Sequence, residues 1–258
     1  AITGEPTFDI GLGDIQSPQI TLDEIFNYLE SADKPCIVAI DEFQQIGTYA
    51  EGNIEALLRT KIQQCRQTML IFSGSKRHLM ANMFNSPSKP FYQSCMTMGL
   101  NPIPLSTYTD FAVSLFEDYG KHLDRELVSN VYNMYKGCTW FVQMIMNELF
   151  SLTPASATCT PAFLPEAVTN VIRSQEQTYK ELLSQIPPRQ KMLLQAIARD
   201  GEARSITSHG FITRHSLPSA SSVQSAAKGL LASDVITRDD DTYRIYDYFL
   251  SQWLATMY

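Results

Sequence analysis

The sequence predicts an α/β fold followed by α-helices, with a winged helix at the C-terminal end. Two short apolar runs alternate with amphipathic helices in the first third of the chain, which is typical of a parallel sheet. Only helices are indicated over 108–151. The last third has helices followed by strand, polar turn and strand, the order of a winged helix, which is a helix-turn-helix variant.

The α/β part begins with a helix predicted over 21–29, with Thr21 as its N-terminal cap. The apolar run Cys36–Ile40 is the first predicted strand, and a second helix is predicted over 53–65. Another apolar run, Thr68–Phe72, is the second strand. Because both runs are apolar throughout, the sequence predicts a parallel sheet that is covered on both faces.

The remaining elements are predicted from helical spacing and turn signals. Residues 153–165, with three prolines and many small residues, are typical of an irregular connection. The predicted elements after it are helices over 175–185, 189–199, 208–215 and 219–231, strands over 234–237 and 242–246, and a last helix over 247–258.

These patterns predict three domains: a partial α/β core over 1–105, an all-helical unit over 106–170 and a winged-helix domain over 171–258. The charge is unevenly spread between them. Residues before 171 carry 10 Lys or Arg and 18 Asp or Glu, a net charge of −8. Residues 171–258 carry 10 and 9, a net charge of +1. This asymmetry favours separate units within one chain.

Composition excludes several classes of protein. The 258 residues have a net charge of −7 with only 18% charged residues, which argues against a protein that coats nucleic acid or an anionic membrane. No apolar run approaches the length of about 20 residues that a membrane span needs, and no signal pattern begins the sequence. Five scattered cysteines without a C-x-x-C spacing argue against a disulfide framework or a zinc site and predict a cytoplasmic location.

The main candidate for chemistry is the pair Asp41 and Glu42, which directly follows the first strand. Ligands of open α/β sheets bind at the carboxyl ends of the strands. In a nucleotide hydrolase, Asp41 would hold Mg²⁺ through water, and Glu42 would orient and deprotonate the attacking water. The alternative is that the two carboxylates only cap the segment that follows, since an apolar run before Asp-Glu is common.

The second candidate is Ser73-Gly74-Ser75, which follows the second strand. A hydroxyl of Ser73 or Ser75 could reach a phosphate or the attacking water, but a tight strand-to-helix turn with a serine cap explains the same residues. The next residues, Lys76, Arg77 and His78, are interpreted as a solvated basic turn rather than a phosphate contact.

A phosphate-binding loop is missing from the sequence. No G-x-x-x-x-G-K-[ST] occurs in the 258 residues, and the only Gly-Lys pair, Gly120-Lys121, is followed by His122 among predicted helices. We therefore expect this chain by itself not to bind ATP tightly and to be inactive.

Several motifs in this order resemble those of the archaeal-type ATPases, a branch of the AAA+ P-loop superfamily. The resemblance extends along the whole chain. Its motifs are Ile37-Val38-Ala39-Ile40-Asp41-Glu42-Phe43-Gln44, Ile71-Phe72-Ser73-Gly74-Ser75, Gly137-Cys138-Thr139-Trp140-Phe141 and Asp247-Tyr248-Phe249-Leu250-Ser251-Gln252-Trp253. The family often has Pro in place of Thr139, and its ending has Pro in place of Tyr248.

The resemblance implies a function for these residues. Asp41 and Glu42 would be the Walker B pair of an ATPase that uses ATP and Mg²⁺, Ser73 or Ser75 the sensor of the γ-phosphate, and the all-helical unit the lid. The family's Walker A motif would lie upstream of Ala1, on a central strand between Thr68–Phe72 and a strand near 98–103. The resemblance leaves a protein client, DNA and oligomerisation open as partners.

Two other functions remain as alternatives. The winged helix could be a DNA-binding or transcription-regulating module, or the chain could be a scaffold that binds no nucleotide. The candidate recognition helix, 219–230, carries one Lys and no Arg, which is poor for phosphate contacts. The predicted wing tip, 238–241, has three carboxylates. We therefore expect this domain to pack mainly within its own chain or against a protein.

Overall fold

A computed structural model describes residues 18–48 and 54–257. The chain divides into two compact units between Gly99 and Leu100, called here the N-terminal and the C-terminal unit. No helix in the described ranges combines the length and the hydropathy that a membrane crossing requires.

The N-terminal unit contains the predicted pattern of alternating helices and strands. Its elements are α1 (Pro18–Glu30), β1 (Cys36–Ile40), a 3₁₀ helix (Phe43–Thr48), α2 (Ile54–Gln64), β2 (Thr68–Phe72) and α3 (Arg77–Asn85). Both predicted strands are confirmed. Helix α1 starts three residues before Thr21, so the prediction that Thr21 caps it is wrong. Proline suits the first turn of a helix because its missing N–H needs no partner there.

The two strands of this unit pair in parallel, in register from Cys36 opposite Thr68 to Ile40 opposite Phe72. Helices pack on one face, where the ends of both strands join the hydrophobic core. On the other face Ile37 is 71% exposed and Met69 63% exposed. The prediction that both faces are covered is therefore wrong for the described residues, because their helices all contribute to one core on one side. Residues 98–103 form no strand.

Four aromatic rings form the centre of the core of the N-terminal unit. The ring of Phe43 stacks on that of Phe72, with centroids 4.0 Å apart, and meets the edge of Phe91 at 5.3 Å. Phe84 stacks against Phe43 at 5.8 Å. Phe43 and Phe91 are almost completely buried. Because Phe43 comes two residues after Asp41, this core fixes the backbone that leaves β1.

Glu30 ties the end of α1 to the start of β2. Its carboxylate accepts hydrogen bonds from the N–H of Arg66 at 2.8 Å and from the hydroxyl of Thr68 at 2.8 Å. The N–H of Arg66, and then the hydroxyl of Thr68, lower the pKa of Glu30 from its ordinary value, since hydrogen bonds to a carboxylate favour its charged form.

The C-terminal unit is mainly helical. Its elements are α4 (Leu105–Asp118), β3 (His122–Leu123), α5 (Arg125–Met134), α6 (Thr139–Leu152), β4 (Thr158–Cys159), a 3₁₀ helix (Pro161–Phe163), α7 (Leu164–Gln185), α8 (Pro188–Asp200), β5 (Ala203–Arg204), α9 (His209–Arg214), α10 (Ala220–Ala232), β6 (Ile236–Asp239), β7 (Thr242–Ile245) and α11 (Tyr248–Thr256). All helices predicted after 108 are present.

The winged helix is built from α8, β5, α9, α10 and the hairpin of β6 and β7. Its sheet is antiparallel in the order β5-β7-β6. Side chains cap two of its helices and the helix that follows the hairpin: Ser208 accepts from the N–H of Phe211, Ser219 from that of Ser222, and Asp247 caps α11. Strand β5 was not predicted, because a strand of two residues carries no periodicity.

One hydrophobic core runs through the C-terminal unit. It joins residues of α4, α5 and α6 to residues of the winged helix without a break. Helix α7 has 22 residues and extends across position 170, where the sequence suggested a boundary between the lid and the winged helix. The two predicted domains therefore share a helix and a core.

Candidate nucleotide site

The carboxyl ends of β1 and β2 bring the two predicted groups of site residues together. The N–H of Ser73 donates to the carbonyl of Ile40 at 3.0 Å, and the N–H of Phe43 donates to the carbonyl of Ser73 at 2.9 Å. The parallel pairing thus continues one step past the strands. It places Asp41 and Ser73 side by side at one edge of the sheet, where ligands of such sheets bind.

Asp41 is held by two donors that bind the same carboxylate oxygen. The hydroxyl of Ser73 donates to Oδ1 of Asp41 at 2.7 Å, and the N–H of Glu42 donates to it at 2.9 Å. The hydroxyl of Ser73, and then the N–H of Glu42, lower the pKa of Asp41 from its ordinary value. Asp41 is exposed and is ionised at neutral pH.

Glu42 has a left-handed backbone, with φ at 50°, which is uncommon for a residue with a side chain. The hydroxyl of Ser75 donates to Oε2 of Glu42 at 3.2 Å. Nε2 of Gln44 donates to the same oxygen. Both predicted serines thus contact a predicted carboxylate: Ser73 contacts Asp41, and Ser75 contacts Glu42.

Gln44 is a site residue to which the sequence reasoning gave no role. Its side chain is only 2% exposed, and Glu42 fixes the orientation of its amide, because exchanging N and O would place two acceptors against each other. Its Oε1 is buried and has no hydrogen-bond partner among the described residues. A buried polar atom left unpaired costs about 1–3 kcal/mol.

Gly74 makes room for this glutamine. A Cβ at position 74 would overlap Oε1 of Gln44 and lie 2.8 Å from Sδ of Met80. The residue between the two serines must therefore lack a side chain for Gln44 to stay beside Glu42.

The site fits a hydrated magnesium ion. Mg²⁺ keeps several waters and needs only one or two carboxylates from a protein. Asp41 is ionised, and Oδ2 receives no hydrogen bond from the side chains that the structure describes, since both of its donors bind Oδ1. The described residues contain no cluster of three or more His, Cys, Asp or Glu suited to a directly coordinated metal.

The three basic residues after Ser75 begin a helix rather than a turn. Lys76 is the N-terminal cap residue of α3, although its side chain makes no capping bond, and Arg77 and His78 are in the first turn. The interpretation of these residues as a solvated turn is therefore wrong for the backbone. The side chains of Arg77 and His78 lie outside the described part of the structure.

A groove of about 680 Å³ lies on the winged helix, between α10 and the wing. Its polar lining includes Gln224 and Lys228 from α10 and Arg238 and Asp241 from the wing. Arg238 is turned toward the wing, where its guanidinium lies 3.7 Å from Asp241 and its Nε donates to the carbonyl of Asp240 at 2.7 Å.

Comparison with known proteins gives the class of fold. The sequence model of a family described as "Probable winged helix domain" matches residues 177–256. The chain has a mixed helix and sheet fold similar to that of a Walker-type ATPase of known structure. No curated protein matches the sequence.

Two solved structures illustrate the likeness. A Walker-type ATPase of Pyrococcus abyssi has a TM-score of 0.62 and 18% identity, over 92% of this chain and 68% of that one. A RuvB mutant of Thermotoga maritima has a TM-score of 0.44 and 11% identity, over 89% and 72% of the two chains. The first likeness confirms, at the level of the fold, the resemblance predicted from the sequence. The second is too distant to support an argument.

Proposed function

We propose that the chain supplies the Walker B pair and the sensor of an AAA+-like ATPase, whose hydrolysis of ATP drives a conformational switch. One observation carries this proposal: Asp41 and Glu42 meet Ser73 and Ser75 at the carboxyl edge of two parallel strands, within hydrogen-bond distance. A pair of carboxylates used only as a cap would not need a hydroxyl partner from the next strand.

Each residue has a role in this proposal. Asp41 would hold Mg²⁺ through water, and the chemistry that the ion would supply there is neutralisation of charge on the phosphate oxygens. Glu42 is the general base: the proton of the attacking water passes to its carboxylate, the water oxygen bonds to the γ-phosphorus, and ADP leaves. Ser73 or Ser75 senses the γ-phosphate. Each hydroxyl donates to a carboxylate in this structure, so contact with a phosphate would replace that hydrogen bond.

The phosphate-binding loop of this ATPase is proposed to come from residues outside the 258, since none of these residues forms the required motif. The N-terminal unit is thus part of a nucleotide domain, and the C-terminal unit is the part that the switch moves. We propose a protein as the client of the winged helix rather than DNA. Three exposed carboxylates at 239–241 on the wing support this, because duplex affinity comes largely from cationic contacts.

The test is turnover in the natural protein that carries these residues together with a phosphate-binding loop. Glu42→Gln keeps the shape of the side chain but cannot accept the proton of the water. We expect single-turnover hydrolysis to fall by about 10²-fold or more, while ATP affinity by calorimetry stays within about twofold. Glu24→Gln, on the exposed surface of α1, is the matched control and should change neither value. Undiminished turnover in Glu42→Gln would refute the assignment.

The 258-residue chain provides a second measurement. Because it lacks a phosphate-binding loop, calorimetry with ATP and Mg²⁺ should show no binding at micromolar concentrations. Tight binding by this chain would show that it holds nucleotide through residues other than those proposed.

A further inference from the structure

Gln44 is the residue of the site whose chemistry the proposed function does not yet use. It is a buried amide in a core of aromatic and aliphatic side chains, where a methionine would fill the same space without an unpaired oxygen. Among the described residues, its side chain makes one hydrogen bond, which Nε2 donates to Oε2 of Glu42. Packing alone therefore does not explain an amide at this position.

The hydrogen bonds around Glu42 separate its two carboxylate oxygens. Gln44 and Ser75 both donate to Oε2. Oε1 receives no hydrogen bond from the side chains that the structure describes, and the residue is exposed. A carboxylate fixed through one oxygen presents the other in a set direction, because the group is planar. Gly74 keeps the amide in place, since any side chain there would collide with Gln44.

We infer that Gln44 is a positioning residue that fixes Glu42 through Oε2, so that Oε1 accepts the proton of the attacking water. The inference rests on the proposed function of Glu42 as base. Ser75, in the segment that follows β2, supplies the second contact. Gln44 itself does not touch the substrate, and its effect passes entirely through the orientation of Glu42.

The first experiment needs no nucleotide and uses the 258-residue chain. Side-chain amide hydrogen exchange is measured by NMR for Gln44 and for Gln63, which is exposed on α2. We expect the Gln44 amide to exchange at least about tenfold more slowly than that of Gln63. Glu42→Ala should shift the Gln44 amide resonances and leave those of Gln63 unchanged. Equal exchange rates, or unchanged resonances in the variant, would contradict the hydrogen bond to Glu42.

The second experiment compares Gln44→Met with Gln63→Met and Glu42→Gln in the natural protein with its phosphate-binding loop. Methionine keeps the volume and removes both the donor and the unpaired oxygen, so the unfolding midpoint should stay the same or rise. We expect kcat to fall about tenfold in Gln44→Met, while KM for ATP stays within about twofold. A general base supplies about 10²-fold or more in rate, and a base that is present but poorly oriented should lose only part of it. Gln63→Met should match the wild type.

The outcomes separate the two claims. If Glu42→Gln retains full turnover, the proposed function fails, and the inference fails with it. If Glu42→Gln is inactive while Gln44→Met has the wild-type kcat, only the inference is overturned. A fall in kcat that comes with a lower unfolding midpoint also overturns it, because that result indicates a structural role. A fall in kcat at unchanged midpoint and KM supports positioning.

Discussion

Phe43 is the residue through which the core of the N-terminal unit holds the site, and its truncation is the clearest test of that connection. Phe43→Ala removes a ring that is 1% exposed and that contacts three others, those of Phe72, Phe84 and Phe91. Truncation of a buried phenylalanine costs about 3–5 kcal/mol, and each aromatic pair contributes about 0.5–1.5 kcal/mol of such a loss. Because three aromatic pairs are lost, we expect the free energy of unfolding of this unit to fall by an amount near the upper end of this range.

Urea unfolding followed by far-UV circular dichroism measures this effect. Both tryptophans, Trp140 and Trp253, are in the C-terminal unit, so their fluorescence follows that unit separately. With a urea slope of about 1 kcal/mol per molar for a unit of this size, the loss moves the midpoint of the N-terminal unit by about 3 M or more. In Phe43→Ala, the lower urea midpoint should appear in the circular dichroism transition, whereas the midpoint of the tryptophan fluorescence transition should stay that of the wild type.

Phe43→Leu is the matched control, because it keeps an apolar side chain at the same position. The leucine side chain has three carbons fewer than that of phenylalanine, whereas alanine has six fewer, so Phe43→Leu should cost only about 2–3 kcal/mol. A midpoint shift below about 0.5 M for Phe43→Ala would refute the reasoning, since it would mean that the four rings contribute little to the stability of this unit. Equal shifts for both variants would contradict the expectation that the loss grows with the apolar volume removed, because both variants lose the three ring contacts.

Two further predictions concern pH and the winged helix. Because the pKa of Glu30 is lowered, its contribution to stability is complete above the ordinary glutamate pKa and is lost as pH falls through the lowered value. In urea unfolding, the difference in free energy of unfolding between wild type and Glu30→Gln should therefore be largest near pH 6 and smaller at about pH 3.5. A difference that grows on acidification would contradict this sign. For the winged helix, the 258-residue chain should bind duplex DNA at physiological salt with a Kd weaker than about 1 μM, and replacing the aspartates at 239–241 by asparagine should strengthen binding. Sub-micromolar binding by the wild type would instead favour the DNA-binding alternative.

The strands of the site could be predicted from the sequence because their signal is local. Both apolar runs became strands with the predicted bounds, Cys36–Ile40 and Thr68–Phe72. The carboxyl ends of neighbouring parallel strands meet at one edge, so the approach of Ser73 to Asp41 follows from topology once the two strands pair.

The contacts that orient Glu42 could not be predicted in the same way. Burial of Gln44 depends on how the backbone turns after Glu42 and on the missing side chain of Gly74, and neither is visible in hydrophobic periodicity. A polar residue next to a buried phenylalanine gives no sign of whether it faces the core. The sequence also predicted that both faces of β1 and β2 are covered, but one face is exposed among the described residues. An apolar residue in a strand indicates a buried face without showing what covers it.

Helix α7 has a mechanical consequence for the proposed switch. With a rise of 1.5 Å per residue, its 22 residues span about 33 Å, and its apolar side packs into the same core as α6 and α11. A close-packed core transmits displacement instead of absorbing it. Over this length, a rotation of α7 by about 5° about one end displaces its other end by about 3 Å. In the proposed switch, helices α4 to α6 and the winged helix would therefore move together as one rigid body, and any hinge would lie outside residues 164–185.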